Sequence, residues 1–291
     1  MKNNVLIATA LNSHVRVYLF NSKEVVEKAR QLHDLYPTSA AALGRTLSIT
    51  SLMGLMQKND NEIVTVTING GGSIGTVLCT ANSKGEVKGF CSNPQIYLKN
   101  EKTGKLDVGL GVGTNGYLKV TKNLKLKQQY SSQVELQTGE IGDDFAYYFS
   151  ISEQRPTIVS VGVLVDKDYS ICSSGALIIE LLPDHTEEDI QYLESLKLRP
   201  ISSVLRDNDN LYDYLNELFA DIQILEEKYV CYKCDCSKER FMANILTLPK
   251  KDIEELALED KIEVKCEFCS KNYIIDKDDL NTILTYASNS K

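Results

Sequence analysis

Cys231-Tyr232-Lys233-Cys234-Asp235-Cys236 and, after 29 intervening residues, Cys266-Glu267-Phe268-Cys269 decide how this 291-residue chain is read. Paired cysteines at such spacing hold a tetrahedral metal ion, and zinc is the expected one. A coordinating thiol must give up its proton, and the thiolate is also the form that oxidants attack, so the same residues can be a structural staple or a redox sensor. Spacing leaves the ligand set open. Cys234, Cys236, Cys266 and Cys269 make one quartet; Cys231, Cys234, Cys266 and Cys269 make another, with the ordinary spacing of a zinc ribbon. The remaining thiol is then available as a resolving cysteine or a substitute ligand.

Residues 231–291, around this cluster, are too few to build a comfortable core unaided. Apparent zinc-binding energies of about 10 to 16 kcal/mol in small modules exceed what such a core supplies, so this C-terminal zinc-binding domain is expected to fold with the ion and loosen without it. Cys79, Cys91 and Cys172 stand singly in apolar or strand-like surroundings and read as buried, inert thiols. Five clustered and three scattered cysteines do not form a secreted disulfide framework, which points to a reducing, cytoplasmic compartment.

Upstream, residues 183–230 read as an acidic, amphipathic helical linker. Twelve acids face four bases there, so this one segment carries the whole net charge of −8. Such a stretch repels phosphate backbones and argues against nucleic acid as a partner. The basic run Lys119, Lys122, Lys125 and Lys127 lacks interleaved aromatics and reads as a wet strand edge. Thr186 with Asp189 reads as a capping box opening a helix that carries Ile190, Leu193 and Leu196 on one face. Leu211, Tyr214, Leu215, Leu218, Phe219, Ile222 and Leu225 fall on a continuous helical stripe and predict a second helix through Leu225. That stripe must be covered. It either packs permanently on the rest of the chain or belongs to a linker that can release it.

Residues 1–182 alternate β-rich runs with a few helical ones, which predicts an α+β core domain. Strands are expected at 15–20, 62–69, 76–79, 87–90, 117–120, 133–137, 157–165 and 176–182, with Asn82-Ser83-Lys84-Gly85 as a hairpin turn. One helix is expected from near Ser22 and another from Ser39 towards Leu55, its small residues allowing close packing on a sheet. The apolar run Val5–Leu11 is cut short by His14 and Arg16 and is not read as a secretory signal. No later run approaches the ~20 apolar residues of a membrane helix. Gly70-Gly71-Gly72-Ser73-Ile74-Gly75 matches a dinucleotide fingerprint in letters only: the β-branched Thr76-Val77-Leu78-Cys79 follows where a phosphate-binding helix is needed, so the stretch reads as a turn between strands. His14, His33 and His185 sit in no catalytic setting and no nucleophile elbow occurs. Glu140, Asp143 and Asp144 are carboxylates without partners in the pattern. No enzyme is expected.

Several short stretches together resemble one family. Ala41-Ala42-Leu43-Gly44-Arg45-Thr46-Leu47, Gly85-Glu86-Val87-Lys88-Gly89-Phe90, Lys105-Leu106-Asp107-Val108-Gly109, Leu118-Lys119-Val120-Thr121-Lys122, Thr138-Gly139-Glu140-Ile141, Ser152-Glu153-Gln154, Leu181-Leu182-Pro183 and Cys234-Asp235-Cys236-Ser237-Lys238-Glu239-Arg240 occur in the order found in the heat shock protein 33 family, the 33 kDa chaperonins. The resemblance covers nearly the full length. It implies an ATP-independent holdase that is inactive while reduced and bound to one zinc ion per chain. It also implies Cys234, Cys236, Cys266 and Cys269 as the four ligands, leaving Cys231 as an auxiliary thiol. On oxidation, disulfides Cys234–Cys236 and Cys266–Cys269 form, zinc leaves, and the module and linker unfold. The chain then forms a homodimer and holds unfolding client proteins. Two departures affect local turn geometry: Ser173-Ser174-Gly175 stands where the family has a Gly-Gly pair, and Glu180 where it has glutamine. Competing readings are a zinc-ribbon nucleic-acid-binding accessory protein, which needs a basic face, and a thiol oxidoreductase using Cys266 and Cys269, which lacks a β-α-β setting.

Overall fold

The computed structural model describes residues 4–59, 62–123, 129–207 and 210–289. It divides into two units, Met1–Lys233 and Cys234–Lys291. The first unit begins with β1 (Asn4–Ala10), β2 (Val15–Asn21), α1 (Lys23–His33), α2 (Pro37–Leu55), β3 (Ile63–Asn69), β4 (Val77–Asn82), β5 (Glu86–Cys91), α3 (Val108–Val112), β6 (Tyr117–Asn123) and β7 (Tyr130–Glu135). It continues with α4 (Gly142–Ser152), β8 (Thr157–Val165), β9 (Ile171–Leu181), α5 (Glu187–Ser195), α6 (Ile201–Asp207), α7 (Leu211–Leu218), β10 (Gln223–Tyr229) and β11 (Cys231–Tyr232). The strands form a five-stranded sheet, β10-β1-β2-β9-β8, and a six-stranded sheet, β11-β5-β4-β3-β6-β7. All pairings are antiparallel except β11 with β5. The expected α+β class is therefore the one observed.

Helix α2 lies against strands of both sheets and is buried on every side except at Arg45 and Leu55. Its sequence explains this: Ala40, Ala41, Ala42 and Gly44 keep its surface low, and a helix that is apolar all round belongs inside. A Cβ on Gly44 would stand 2.6 Å from Val26 Cγ1 and 2.9 Å from Val163 Cγ2. The buried hydroxyls of Thr46, Ser48 and Ser51 donate to carbonyls one turn back, at 2.9, 2.7 and 2.7 Å, so none enters the core unpaired.

The hairpin expected at 82–85 joins β4 to β5, and Gly85 takes the left-handed φ of 77° that such a turn needs. The glycine-rich stretch 70–75 connects β3 to β4, as the strand-turn reading requires, and packs backbone to backbone: the Gly72 and Ile74 amides donate to Val112 and Gly111 carbonyls at 2.9 Å each. The Val5–Leu11 run, which the pattern left without an element, is largely β1, paired on both sides by β2 and β10. Lys119 and Lys122 lie on β6; Lys125 and Lys127 lie outside the described residues. At the Gly-Gly departure, Gly175 is the position that must stay bare, since a Cβ there would meet Leu205 Cδ1 at 2.1 Å and Phe20 O at 2.2 Å. Ser174 instead finds a partner, with its Oγ 2.8 Å from Ser22 Oγ. Glu180 accepts from Arg155 Nη1 at 2.5 Å.

The capping box is present: Thr186 Oγ1 accepts from the Asp189 amide at 3.3 Å and Asp189 accepts from the Thr186 amide at 2.7 Å. The second expected helix needs correcting. It ends at Leu218 rather than Leu225, because Phe219 turns extended and Asp221 accepts the Leu11 and Asn12 amides at 3.0 and 2.8 Å. The chain then pairs along β1 as β10, so sheet hydrogen bonds override a helical pattern. Leu211, Tyr214, Leu215, Leu218 and Phe219 bury against Leu6, Val17, Leu19 and Leu177 of the five-stranded sheet, Ile222 packs at the margin, and Leu225 is 48% exposed on β10.

Beside the first core, Glu153 accepts from Lys122 Nζ at 2.6 Å and from Tyr148 Oη at 2.7 Å. Burial alone would raise its pKa; these partners outweigh that and hold the carboxyl below its ordinary value of 4.5. A carboxyl lowered by folding stabilises fully above that ordinary value and loses its contribution as pH falls through the folded one. Urea midpoints are expected to fall between about pH 6 and about pH 3, and Glu153→Gln should flatten part of that decline. Equal slopes in the two proteins would remove Glu153 as a cause.

The second unit contains α8 (Lys238–Ile245), α9 (Lys250–Leu256), β12 (Lys261–Lys265), β13 (Asn272–Asp276) and α10 (Lys277–Asn289). Strands β12 and β13 form an antiparallel hairpin. Among the described residues its core cluster consists of Ile245, Ile253, Ile275, Leu280 and Ile283, a small core for a unit of this length.

Candidate metal centre

Two loops bring the thiols together. Cys234-Asp235-Cys236 leads into α8, whose first turn is capped by Ser237 Oγ accepting the Arg240 amide at 3.3 Å. Arg240 also pairs with the Asp235 carboxylate and donates to the Asp235 carbonyl at 2.9 Å, which fixes this loop from below. Cys266–Cys269 forms the tip of the β12–β13 hairpin. There the Ser270 amide donates to Cys266 O at 2.8 Å, the Cys266 amide to Lys271 O at 2.9 Å, and Ser270 adopts a left-handed φ of 58°.

The ligand atoms of Cys234, Cys236, Cys266 and Cys269 all lie within 4.8 Å of one another. Cys234 Sγ is 3.7 Å from Cys266 Sγ, and Cys236 Sγ is 3.3 Å from Cys269 Sγ. Four sulfurs each about 2.3 Å from one ion, at tetrahedral corners, stand about 3.8 Å apart. The cluster is therefore the size of a four-thiolate metal site, a donor set that suits soft ions. Cys266 is only 4% exposed; the other three are half-buried.

Tyr273, on β13, was not singled out by the cysteine spacing and nothing in the pattern points to it. Its hydroxyl lies 3.2 Å from Cys236 Sγ and donates to the Cys236 carbonyl at 3.0 Å, and its ring packs on Phe241 with centroids 5.3 Å apart. Burial pushes the Cys234 thiol up to about 12. In Cys236 burial acts the same way but is outweighed by hydrogen bonds from Tyr273 and Cys269, which bring the thiol down to about 7. Outer partners of this kind orient a ligand and set its basicity.

Cys231 is not in this cluster. It lies in β11, half-buried, with its amide donating to Gly85 O at 2.8 Å, and burial followed by the nearby Glu86 charge raises its thiol. Cys79 and Cys91 are buried in β4 and β5, where desolvation raises Cys79 well above its ordinary range and Cys91 to about 12; Cys172 is half-buried in β9. The three carboxylates weighed as acids or bases have structural partners. Asp144 is buried and accepts the Gln137, Thr138 and Ile141 amides at 2.7, 3.0 and 2.9 Å. Glu140 binds Arg45 Nη1 at 2.6 Å, and Asp143 accepts from Thr138 Oγ1 at 3.1 Å. Of the histidines, His14 pairs with Asp189 at 2.7 Å, His33 Nε2 lies 3.2 Å from Tyr232 Oη, and His185 Nδ1 donates to Leu182 O at 2.6 Å.

Residues 3–276 match the family model described as Hsp33 protein. The chain is 44% identical over 288 residues to the 33 kDa chaperonin of Alkaliphilus oremlandii, covering 97% of this chain and 96% of that one. It is 42% identical to the 33 kDa chaperonin of Clostridioides difficile, covering 98% and 99% of the two chains. The crystal structure of the 33 kDa chaperonin of Thermotoga maritima, a heat shock protein 33 homolog, superposes over 100% of both chains with a TM-score of 0.89 at 31% identity. The same fold thus occurs in a 33 kDa chaperonin, and this chain belongs to the Hsp33 family.

Proposed function

We propose that this protein is an ATP-independent holdase switched by thiol oxidation: inactive while Cys234, Cys236, Cys266 and Cys269 are reduced and hold one zinc ion, active once they are oxidised. The observation that carries this reading is the four-sulfur cluster, the only such group among the described residues, in a unit with a very small core. Zinc bound there would tie the loop before α8 to the β12–β13 hairpin, supplying stability the core lacks.

Oxidation converts Cys234 with Cys236, and Cys266 with Cys269, into disulfides. Each pair of thiolates gives two electrons to one hydrogen peroxide, takes up two protons and releases two waters, through a sulfenic acid on the first sulfur. The four sulfurs then have no thiolate left to coordinate an ion. Cys234 and Cys236 each lie close to a thiol of the other pair, at 3.7 and 3.3 Å, yet cross-pair disulfides would close loops spanning 32 and 33 positions and constrain the unfolded module by loop entropy. Disulfides within each pair close only minimal loops and leave it free to open. With the module loosened, the segment 183–230 loses its C-terminal anchor and its apolar side chains become available to non-native chains, its acids keeping the complex soluble. Homodimer formation on oxidation and a cytoplasmic site of action complete the proposal.

The test is light scattering of a chemically unfolded client diluted into buffer with reduced, zinc-loaded protein or with protein treated with peroxide under mild heating. Suppression by the oxidised form alone is expected, with peptide mapping recovering the two in-pair disulfides. Suppression by neither form, or equally by both, would end the switch reading. Cys231→Ser is expected to leave the zinc stoichiometry at one and to alter the peroxide threshold; an unchanged threshold would deny Cys231 an auxiliary role.

A further inference from the structure

Four strand edges terminate the two sheets of the first unit, and they differ in chemistry. The β10 edge carries Glu226, Glu227 and Lys228 within seven residues, the usual protection against unwanted pairing. The β11 edge is two residues long. The β7 edge is short and mostly exposed. Strand β8, Thr157-Ile-Val-Ser-Val-Gly-Val-Leu-Val165, spans nine residues without a charge or a proline. It pairs with β9 on one side, and among the described residues no backbone hydrogen bond reaches its other side. A long, uncharged edge of this kind is a template for another strand.

The free side of β8 is also open. A groove of about 870 Å³ is lined by five consecutive residues of this strand, 161–165. At about 3.3 Å per residue this is about 17 Å of strand edge, the span of a five-residue extended segment. Both faces of the strand are already packed, Val163 towards Gly44 of α2 and Gly162 towards Ser202 of α6, so what remains to be satisfied is the backbone. Every second residue of an edge strand turns its N–H and C=O outward.

Three ammonium groups border the groove: Lys99 and Lys105, on facing arms joined by a bridge between Lys99 and Leu106, and Lys167 in the turn after β8. None has a carboxylate partner among the described residues, and Lys99 sits 5.2 Å from the ring centroid of Tyr97. The carboxylates of the groove are engaged. Glu140 is held by Arg45, Asp107 caps α3 through the Leu110 amide at 3.0 Å, and Asp166 accepts the Lys167 amide at 2.7 Å. Hydrogen bonds to amides leave Asp107 and Asp166 charged, so the lining carries four cations, Arg45, Lys99, Lys105 and Lys167, against three carboxylates, a net charge of +1.

We propose that the outer edge of β8 captures an extended, acidic polypeptide segment of a non-native protein as an added strand, its backbone hydrogen-bonding to 161–165 and its carboxylates meeting Lys99, Lys105 and Lys167. This mode of recognition takes affinity from the main chain and therefore suits clients of unrelated sequence. It rests on the holdase reading and gives it a second contact, separate from the apolar stripe of 183–230. Pro200 and Ser203, at the start of α6, form one wall of the groove, so release of that segment would widen it.

The test uses the full-length chain, reduced with zinc and peroxide-oxidised, and a fluorescent decapeptide of alternating Glu and Val. Anisotropy is expected to show binding that tightens on oxidation. The same peptide N-methylated at every residue, which cannot donate along either edge, should bind at least about tenfold more weakly. The triple variant Lys99→Glu, Lys105→Glu, Lys167→Glu, altered only at exposed side chains, should lose at least about tenfold for the parent peptide. In the unaltered protein, amide exchange within 161–165 should slow when the peptide is added. Binding of the N-methylated peptide within about twofold of the parent, unchanged binding by the triple variant, or protection elsewhere without any in 161–165 would overturn the proposal. So would self-association abolished by the triple variant while peptide binding persists, which would assign the edge to a second copy. Client scattering by the unaltered protein separates the two ideas, since suppression there with any of these failures leaves the holdase standing without the β8 site.

Discussion

Under the proposed zinc site, Cys266→Ser is expected to bring the zinc content of the reduced protein from one per chain to below about a tenth of that and to abolish cooperative unfolding of the second unit. Cys266 is the most buried of the four thiols, and a serine hydroxyl keeps its proton where a thiol gives it up, so only three donors remain. The unit has a core cluster of only five buried aliphatic side chains to fall back on among the described residues, far short of the roughly 10 to 16 kcal/mol that a structural zinc supplies. Metal analysis after gel filtration reads the first effect, and amide exchange over 261–289 reads the second. Under the proposed switch the variant should also suppress client aggregation without peroxide. Retention of one tightly held zinc would show that Cys266 is no ligand and would overturn both ligand sets that the spacing allows.

Leu215→Ala is expected to detach the segment 183–230 at lower oxidant or temperature than the unaltered chain requires. Leu215 is completely buried where α7 meets the five-stranded sheet, and removing such a side chain costs about 2 to 5 kcal/mol including the cavity left behind. Local opening of a helix held by only a few such contacts should become measurable as faster amide exchange in 211–218 while α2 stays protected. The scattering assay should then show partial suppression in the reduced protein. Exchange that quickens equally in α2 would mean the segment and the core unfold as one body and no separate release exists.

The sequence made some of this legible and hid the rest for physical reasons. The cysteine pairs announce themselves because metal coordination demands fixed residue types at fixed spacing, but spacing leaves Cys231 and Cys236 as alternatives; the fold brings Cys234, Cys236, Cys266 and Cys269 together. Thr157–Val165 is readable as a strand because β-branched and apolar residues dominate it, with only Ser160 and Gly162 between them. Tyr273 was not readable, since a hydroxyl that reaches a thiolate across a hairpin leaves no periodic trace. The helix expected through Leu225 failed because Ile222 and Leu225 continue the apolar period while the Asp221 carboxylate and the exposed edge of β1 redirect the chain. Val5–Leu11 escapes the strand pattern for the converse reason: a strand buried on both faces is a continuous apolar run without alternation.

The ten residues 223–232 supply the outermost strand of one sheet, β10, and then the outermost strand of the other, β11, and the chain enters the metal module two positions later. They behave as a single seam closing two garments: a pull from the C-terminal side meets first the two-residue pairing of Cys231 and Tyr232 with Glu86 and Val87, and then the longer run along β1. Tearing is therefore ordered, with the six-stranded sheet giving way at its margin before the five-stranded one, and each margin that opens leaves behind a fresh row of backbone donors and acceptors.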